Sequence, residues 1–258
     1  MPPKTLSSKP RYINGLVYSF PGGGKTTLFG TAQRHPDMQH VLFIDVEGGL
    51  SSVSHIDGIL YERVGKDDAG KPNHRTCEDL ERIFWSLVNK DKGYEKIQTV
   101  VIDSGTELQG MDLQDIVMSH VNDPKSRRDN PDVLEQRDYM LNTSRLKRIF
   151  RMFRDGDFHF LVSALTRKIE DDKGNMTEMA PHFTQKLGEA VMGYMDFVWF
   201  MYVDKDGNRK MLTQPKGPYR AKTRGKDFSE ALGPVVENPT MPMLYDLYLK
   251  AGNTNKKK

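Results

Sequence analysis

The run Ser19-Phe20-Pro21-Gly22-Gly23-Gly24-Lys25-Thr26-Thr27 constrains the fold of this chain more than any other stretch. It follows the apolar segment Ile13–Tyr18, which reads as a buried strand, and it precedes Thr27–Arg34, which can start a helix. Strand, glycine-rich loop and helix, in that order, form the context a phosphate-binding loop requires. The glycines let consecutive backbone N–H groups face an anion without side-chain obstruction, and the helix end adds partial positive charge. In that reading Pro21, Gly22, Gly23, Gly24, Lys25, Thr26 and Thr27 hold the phosphates of a nucleotide. Lys25 reaches the β- and γ-phosphates, and the Thr26 hydroxyl ligates Mg²⁺. One position departs from G-x-x-x-x-G-K-[ST]: Ser19 stands where the first Gly is usual, a position that serves the turn more than the phosphates.

A chain of 258 residues holds one large α/β domain or two small ones. With 37% hydrophobic and 28% charged residues it suits a water-exposed globular fold, and no apolar run approaches the ~20 residues of a membrane span. Met1-Pro2-Pro3-Lys4 lacks the apolar core of a secretion signal, so a cytoplasmic protein with no membrane partner is expected. The single cysteine, Cys77, excludes an internal disulfide and a cysteine-based zinc site, and the seven histidines show no ligand spacing. Net charge is only +3, so any nucleic-acid binding has to come from local patches.

Apolar runs alternate with helical patterns through most of the chain. Strands are expected at Val41–Val46, Leu60–Val64, Thr99–Ile102 and Phe158–Ala164, and helices at Cys77–Val88, Thr106–His120 and Arg137–Arg154. That alternation predicts a mostly parallel sheet flanked by helices on both faces. Beyond about residue 196 the pattern changes. Phe197–Val203 and Lys210–Gln214 flank the turn signal Asp204-Lys205-Asp206-Gly207-Asn208, which predicts an antiparallel hairpin at the C-terminal edge of the sheet. The same turn hints at a calcium loop, but Arg209 stands where Gly is required and Pro215 where Glu is required, so that reading fails. The expected organisation is a flexible basic arm over 1–12, one core over 13–252 and a basic tail over 253–258.

Two acidic positions complete a candidate hydrolytic site. Asp103 closes the apolar run Val100-Val101-Ile102, where a carboxylate at the end of a parallel strand lies beside the phosphate loop and helps hold Mg²⁺. The next residue is Ser104, so the base that orients water has to come from elsewhere. Glu47, just past the strand within Phe43-Ile44-Asp45-Val46-Glu47-Gly48-Gly49, is the candidate, since the two glycines permit a tight turn that aims its carboxylate into the cleft.

Phosphate loop, then F-I-D-x-E, then a strand ending in Asp-Ser, resembles the RecA-like P-loop ATPases. Downstream, Ala221-Lys222-Thr223-Arg224 resembles the K-x-R element that such proteins place at a subunit edge. Over roughly residues 13–230 the ensemble is similar to the phage single-strand annealing ATPases of the Sak group, including the Glu-Gly-Gly, a Pro before a helix near Pro181–Leu187, and Asp196 opening a late strand. The resemblance implies a RecA-like α/β core that hydrolyses ATP with Mg²⁺. It implies a homo-oligomer, ring or filament, in which Lys222 and Arg224 act in trans on a neighbour's γ-phosphate. It also implies binding and annealing of single-stranded DNA in phage recombination inside a bacterial host, with a single-stranded DNA-binding protein as a candidate partner. The residue that senses the γ-phosphate is left open between Ser163 and Thr166, since Leu165 has no polar group to offer.

By position, the DNA-contacting loops are Asn122–Gln136, with Lys125, Arg127 and Arg128, and Thr166–Phe183, with Arg167, Lys168 and Lys173. The helix Arg145–Arg154 and the stretch Lys205–Lys226 are further basic patches suited to phosphate contact. A small nucleotide kinase and an ATP-binding assembly switch with negligible turnover remain the competing readings.

Overall fold

A computed structural model describes residues 12–254 apart from Asp68 and Arg127. The expected N-terminal arm, the end of the basic tail and Arg127 therefore lie outside the described residues. In chain order the strands are β1 (Asn14–Ser19), β2 (Val41–Asp45), β3 (Leu60–Arg63), β4 (Thr99–Asp103), β5 (His159–Glu170), β6 (Met176–Pro181), β7 (Phe197–Val203), β8 (Arg209–Leu212), β9 (Lys222–Thr223) and β10 (Val235–Glu237). The helices are α1 (Lys25–Gly30), α2 (Thr76–Asn89), α3 (Gly105–Val121), α4 (Gln136–Arg154), α5 (Gln185–Tyr194), α6 (Lys226–Leu232) and α7 (Met241–Thr254).

The described strands form one sheet in the order β10-β8-β7-β1-β5-β4-β2-β3, with β6 added to β5 and β9 to β7. From β7 to β3 the neighbours on this path are parallel. The β7–β8 hairpin is antiparallel, and β10 closes the edge beyond it. The fold is thus the expected mixed α/β sandwich.

Period-two alternation along the strands divides the core into two layers. Leu16, Ile44, Ile102 and Val162 pack on one face with Leu80 and Ile83 of α2, and Leu146, Ile149, Phe150 and Phe153 of α4. Val17, Phe43, Val101, Leu161, Trp199 and Met211 pack on the other with Leu28 and Phe29 of α1 and with α6 and α7. Continuing the alternation to the strand ends places Ser19, Asp103, Ser163 and Arg209 on the face that carries α1.

Two expectations need correction. The helix after the phosphate loop begins at Lys25 rather than Thr27, and only Lys25–Gly30 is α-helical; Thr31–Arg34 tightens into a 3-10 turn. The strand expected to stop at Ala164 runs on to Glu170. Beyond Ala164 it leaves the two-sided core and pairs antiparallel with β6, so its residues no longer need to be apolar and the run that marks a buried strand disappears. The segment expected to be a loop over Thr166–Phe183 is therefore largely a β-hairpin.

Candidate nucleotide site

The phosphate loop sits at the C-terminal end of the central strand β1. Gly22 and Gly24 have φ of 76° and 92°, the left-handed region in which a side chain is strained. A Cβ on Gly23 would lie 2.4 Å from Ser19 Oγ, so the loop closes directly over Ser19. Ser19, the departure from the usual loop pattern, is itself fully buried. Its hydroxyl donates to the Phe20 carbonyl at 2.7 Å and accepts from Lys25 Nζ at 3.0 Å. Lys25 is only 9% exposed. Burial pushes its ammonium below the ordinary lysine range, against the opposing pull of Asp103 and Glu47.

Asp103 ends β4 at 5% exposure and gathers two hydroxyls: Thr26 Oγ1 donates to Oδ2 at 2.6 Å, and Ser163 Oγ donates to Oδ1. The two residues expected to hold Mg²⁺, Thr26 and Asp103, are therefore in direct contact. Of the two candidate sensors, Ser163 faces the site. Thr166 falls on the opposite side of the strand by alternation; its hydroxyl oxygen is buried without a partner.

Glu47 is exposed and lies just beyond β2. Its backbone N–H donates to the Asp103 carbonyl at 3.3 Å, and Gly48, at φ 78°, donates to Asp45 Oδ1 at 2.7 Å, so the turn is tied to the end of β4. The Ser104 hydroxyl donates to Glu47 Oε1. Ser104, which displaces the usual acid after the strand, thus positions the acid supplied by β2. It also accepts from the Glu107 N–H at 3.3 Å as the N-cap of α3.

These donors fit a nucleotide and its cation. The buried Lys25 ammonium has three N–H donors and, among the described residues, one hydroxyl partner, which leaves it able to take phosphate oxygens. No cluster of three or more His, Cys, Asp or Glu side chains suited to a metal occurs among the described residues. A cation held by one carboxylate and one hydroxyl, and completed by phosphates and water, matches the habit of Mg²⁺.

The element Lys222-Thr223-Arg224 lies elsewhere. Lys222 pairs with Val198 at the start of β7, and Arg224 holds Asp196 Oδ1 through Nη1 at 3.0 Å and the Gly193 carbonyl through Nη2 at 3.2 Å. Asp196 in turn binds Asn14 at the N-terminal end of β1. The length of β1, roughly 17 Å at ~3.3 Å per residue, separates that end from the protein's own phosphate loop. Burial first, and then Arg224, push the Lys222 ammonium below its ordinary range, while Asp196 opposes.

The candidate DNA residues separate into free and engaged. Lys125, Lys168 and Lys173 are exposed. Arg128 is committed to the buried Asp138 at 2.8 Å, and Arg167 donates to the Phe183 carbonyl at 3.0 Å, so both serve the local chain. The basic row of α4 is largely an ion-pair seam: Arg145 binds Asp112 at 3.1 Å, Arg148 binds Glu81 at 2.5 Å and Arg154 binds Asp155 at 2.8 Å. Asp155 is the next residue in the chain, but Asp112 and Glu81 lie on α3 and α2, far away in sequence, and so were invisible to a count along the helix.

A parallel sheet with a glycine loop, a buried lysine and a hydroxyl–carboxylate pair at the end of its central strand defines a P-loop NTPase fold. The chain belongs to the AAA domain family, whose model matches residues 11–225. No curated protein matches the chain.

Proposed function

We propose that the chain is an oligomeric, DNA-dependent ATPase that binds single-stranded DNA and promotes strand annealing in phage recombination. The observation that carries the ATPase part is a set of three contacts at the C-terminal ends of β1, β4 and β2: Lys25 with Ser19, Thr26 with Asp103, and Glu47 with Ser104. Thr26 and Asp103 hold Mg²⁺, which supplies charge neutralisation on the phosphates when bound. Lys25 exchanges its serine partner for phosphate oxygens and stabilises the charge that grows on them. Glu47 accepts the proton of the attacking water, with Ser104 fixing its carboxylate. Because Lys222 and Arg224 lie a strand length from their own loop, a role for them in hydrolysis requires a second copy, which supports the oligomeric reading.

The DNA part is supported by geometry alone. The β5–β6 hairpin leaves the sheet at the edge that carries the phosphate loop, since Ser19 pairs with Leu165 and the ribbon continues past it. It carries Lys168 and Lys173 exposed, with no described aromatic cluster for base stacking, so affinity falls steeply with salt and depends little on sequence. ATPase rate with and without single-stranded DNA, for the protein and for Lys25→Ala, tests the reading. Lys25→Ala abolishes turnover and DNA stimulates it. Undiminished activity in folded Lys25→Ala protein removes the site assignment. Turnover indifferent to DNA, with phosphate passed to a nucleotide, replaces it by a kinase.

A further inference from the structure

The β7–β8 hairpin brings one arginine to the phosphate loop that the chain's order does not reveal. Arg209 opens β8 opposite Val203. A Cβ on Gly24 would lie 2.6 Å from Arg209 Nε and 3.1 Å from its Cδ. The guanidinium therefore rests against the loop residue immediately before Lys25. Gly24 is held to glycine twice over, by its φ of 92° and by this side chain.

The approach is rigid. Asp204 Oδ1 accepts from the N–H groups of Asp206 and Asn208, both at 2.9 Å, and so caps the hairpin turn. Lys210 clamps that turn to the next strand, binding Asp204 at 3.2 Å and Glu237 at 3.0 Å. Lys210 is thus engaged, whereas among the described residues Arg209 makes no ion pair and its side chain is exposed.

Direction decides which part of a nucleotide it meets. In the sheet order β7-β1-β5-β4-β2, the Thr26–Asp103 contact and Glu47 lie toward β4 and β2, and Arg209 lies on the other side of β1. A nucleotide whose terminal phosphate met the carboxylates would extend its α-phosphate and nucleoside toward the hairpin. We propose, resting on the nucleotide-binding reading above, that Arg209 holds the nucleoside-proximal end of the bound nucleotide through its α-phosphate, in cis. A planar guanidinium suits two parallel bonds to one phosphate. The bond is the same before and during γ-phosphate transfer, so it contributes to binding and not to the chemical step.

The test is the affinity of the full chain for ADP and ATP with Mg²⁺, by calorimetry, together with steady-state kinetics. Arg209→Ala weakens both nucleotides equally, by about 10- to 100-fold, raises KM in proportion and leaves kcat near its wild-type value. Arg209→Lys restores part of the affinity. A loss confined to ATP with ADP unaffected, a fall in kcat at unchanged affinity, or no change in either nucleotide overturns the assignment. Lys25→Ala separates the two readings. If it abolishes ADP binding while Arg209→Ala leaves it intact, the site stands and Arg209 is no part of it. If the wild-type chain binds neither nucleotide, the site and this assignment fall together.

Discussion

Ser19 offers the sharpest test of how the phosphate loop holds Lys25. Ser19→Ala keeps the Cβ that packs beneath Gly23 and removes only the hydroxyl. That hydroxyl is fully buried and is the hydrogen-bond partner of a lysine that is itself 9% exposed. A hydrogen bond to a charged group contributes about 1.5–3 kcal/mol. A chain of this size shifts its melting temperature by about 2–4 °C per kcal/mol, so nucleotide-free Ser19→Ala melts about 3–12 °C lower. The nucleotide-bound state behaves differently. There the phosphates take over Lys25, and the wild-type protein has to give up the Ser19 bond that the variant lacks. Saturating ADP or ATP with Mg²⁺ therefore raises the melting temperature of Ser19→Ala by more than that of the wild type, and its nucleotide affinity is equal or higher. Thermal melts with and without nucleotide, paired with calorimetric titration, measure both. A variant whose nucleotide-free melting temperature is unchanged shows that the Lys25–Ser19 bond contributes nothing. A variant that loses nucleotide affinity by the same factor as stability makes Ser19 a phosphate ligand rather than a placeholder.

Glu47→Gln keeps the hydrogen bond from Ser104 but removes the basic carboxylate, so ATP binding survives while turnover drops on the order of 10²-fold or more; loss of binding with normal turnover per bound nucleotide makes Glu47 structural. Lys222→Ala/Arg224→Ala binds ATP through its own Lys25 and loses roughly 10³–10⁵ in rate. Mixing it with an excess of Lys25→Ala subunits restores activity, and no recovery from intact oligomers removes the trans assignment. His159 accepts from the Ile13 N–H through Nδ1 at 3.1 Å and faces the Asp37 carbonyl through Nε2 at 2.9 Å, and burial pushes it from 6.5 down to about 4. Its neutral form is the folded one. Stability is therefore full above pH 6.5 and declines as pH falls toward 4, because the unfolded chain takes the proton first; the loss totals about 3 kcal/mol. Urea midpoints between those pH values are flatter for His159→Gln, and an identical slope refutes the assignment.

The local order of the chain was enough for the parallel core and the phosphate loop. A strand buried on both faces must be apolar throughout, and a loop that presents backbone N–H groups must be rich in glycine; both demands act over a few neighbouring residues. The positions of Asp103 and Glu47 at or just past the ends of β4 and β2 were legible for the same reason, since each follows an apolar run. What the sequence could not decide was which polar groups meet. Ser19 reads as a defect in a motif until the fold shows it under Lys25. Ser104 reads as a missing base until it is seen gripping Glu47. Ser163 and Thr166 are separable only by the strand's pleat. Arg128, Arg145 and Arg148 read as open positive charge, yet their carboxylate partners arrive from other elements. Arg209 reads as one more basic residue in a turn, and the sheet order alone carries it to Gly24. Periodicity and glycine are properties of adjacent residues, whereas a hydrogen bond between side chains 60 positions apart, or the approach of Arg209 to Gly24, is made only when strand order and register bring the two ends together.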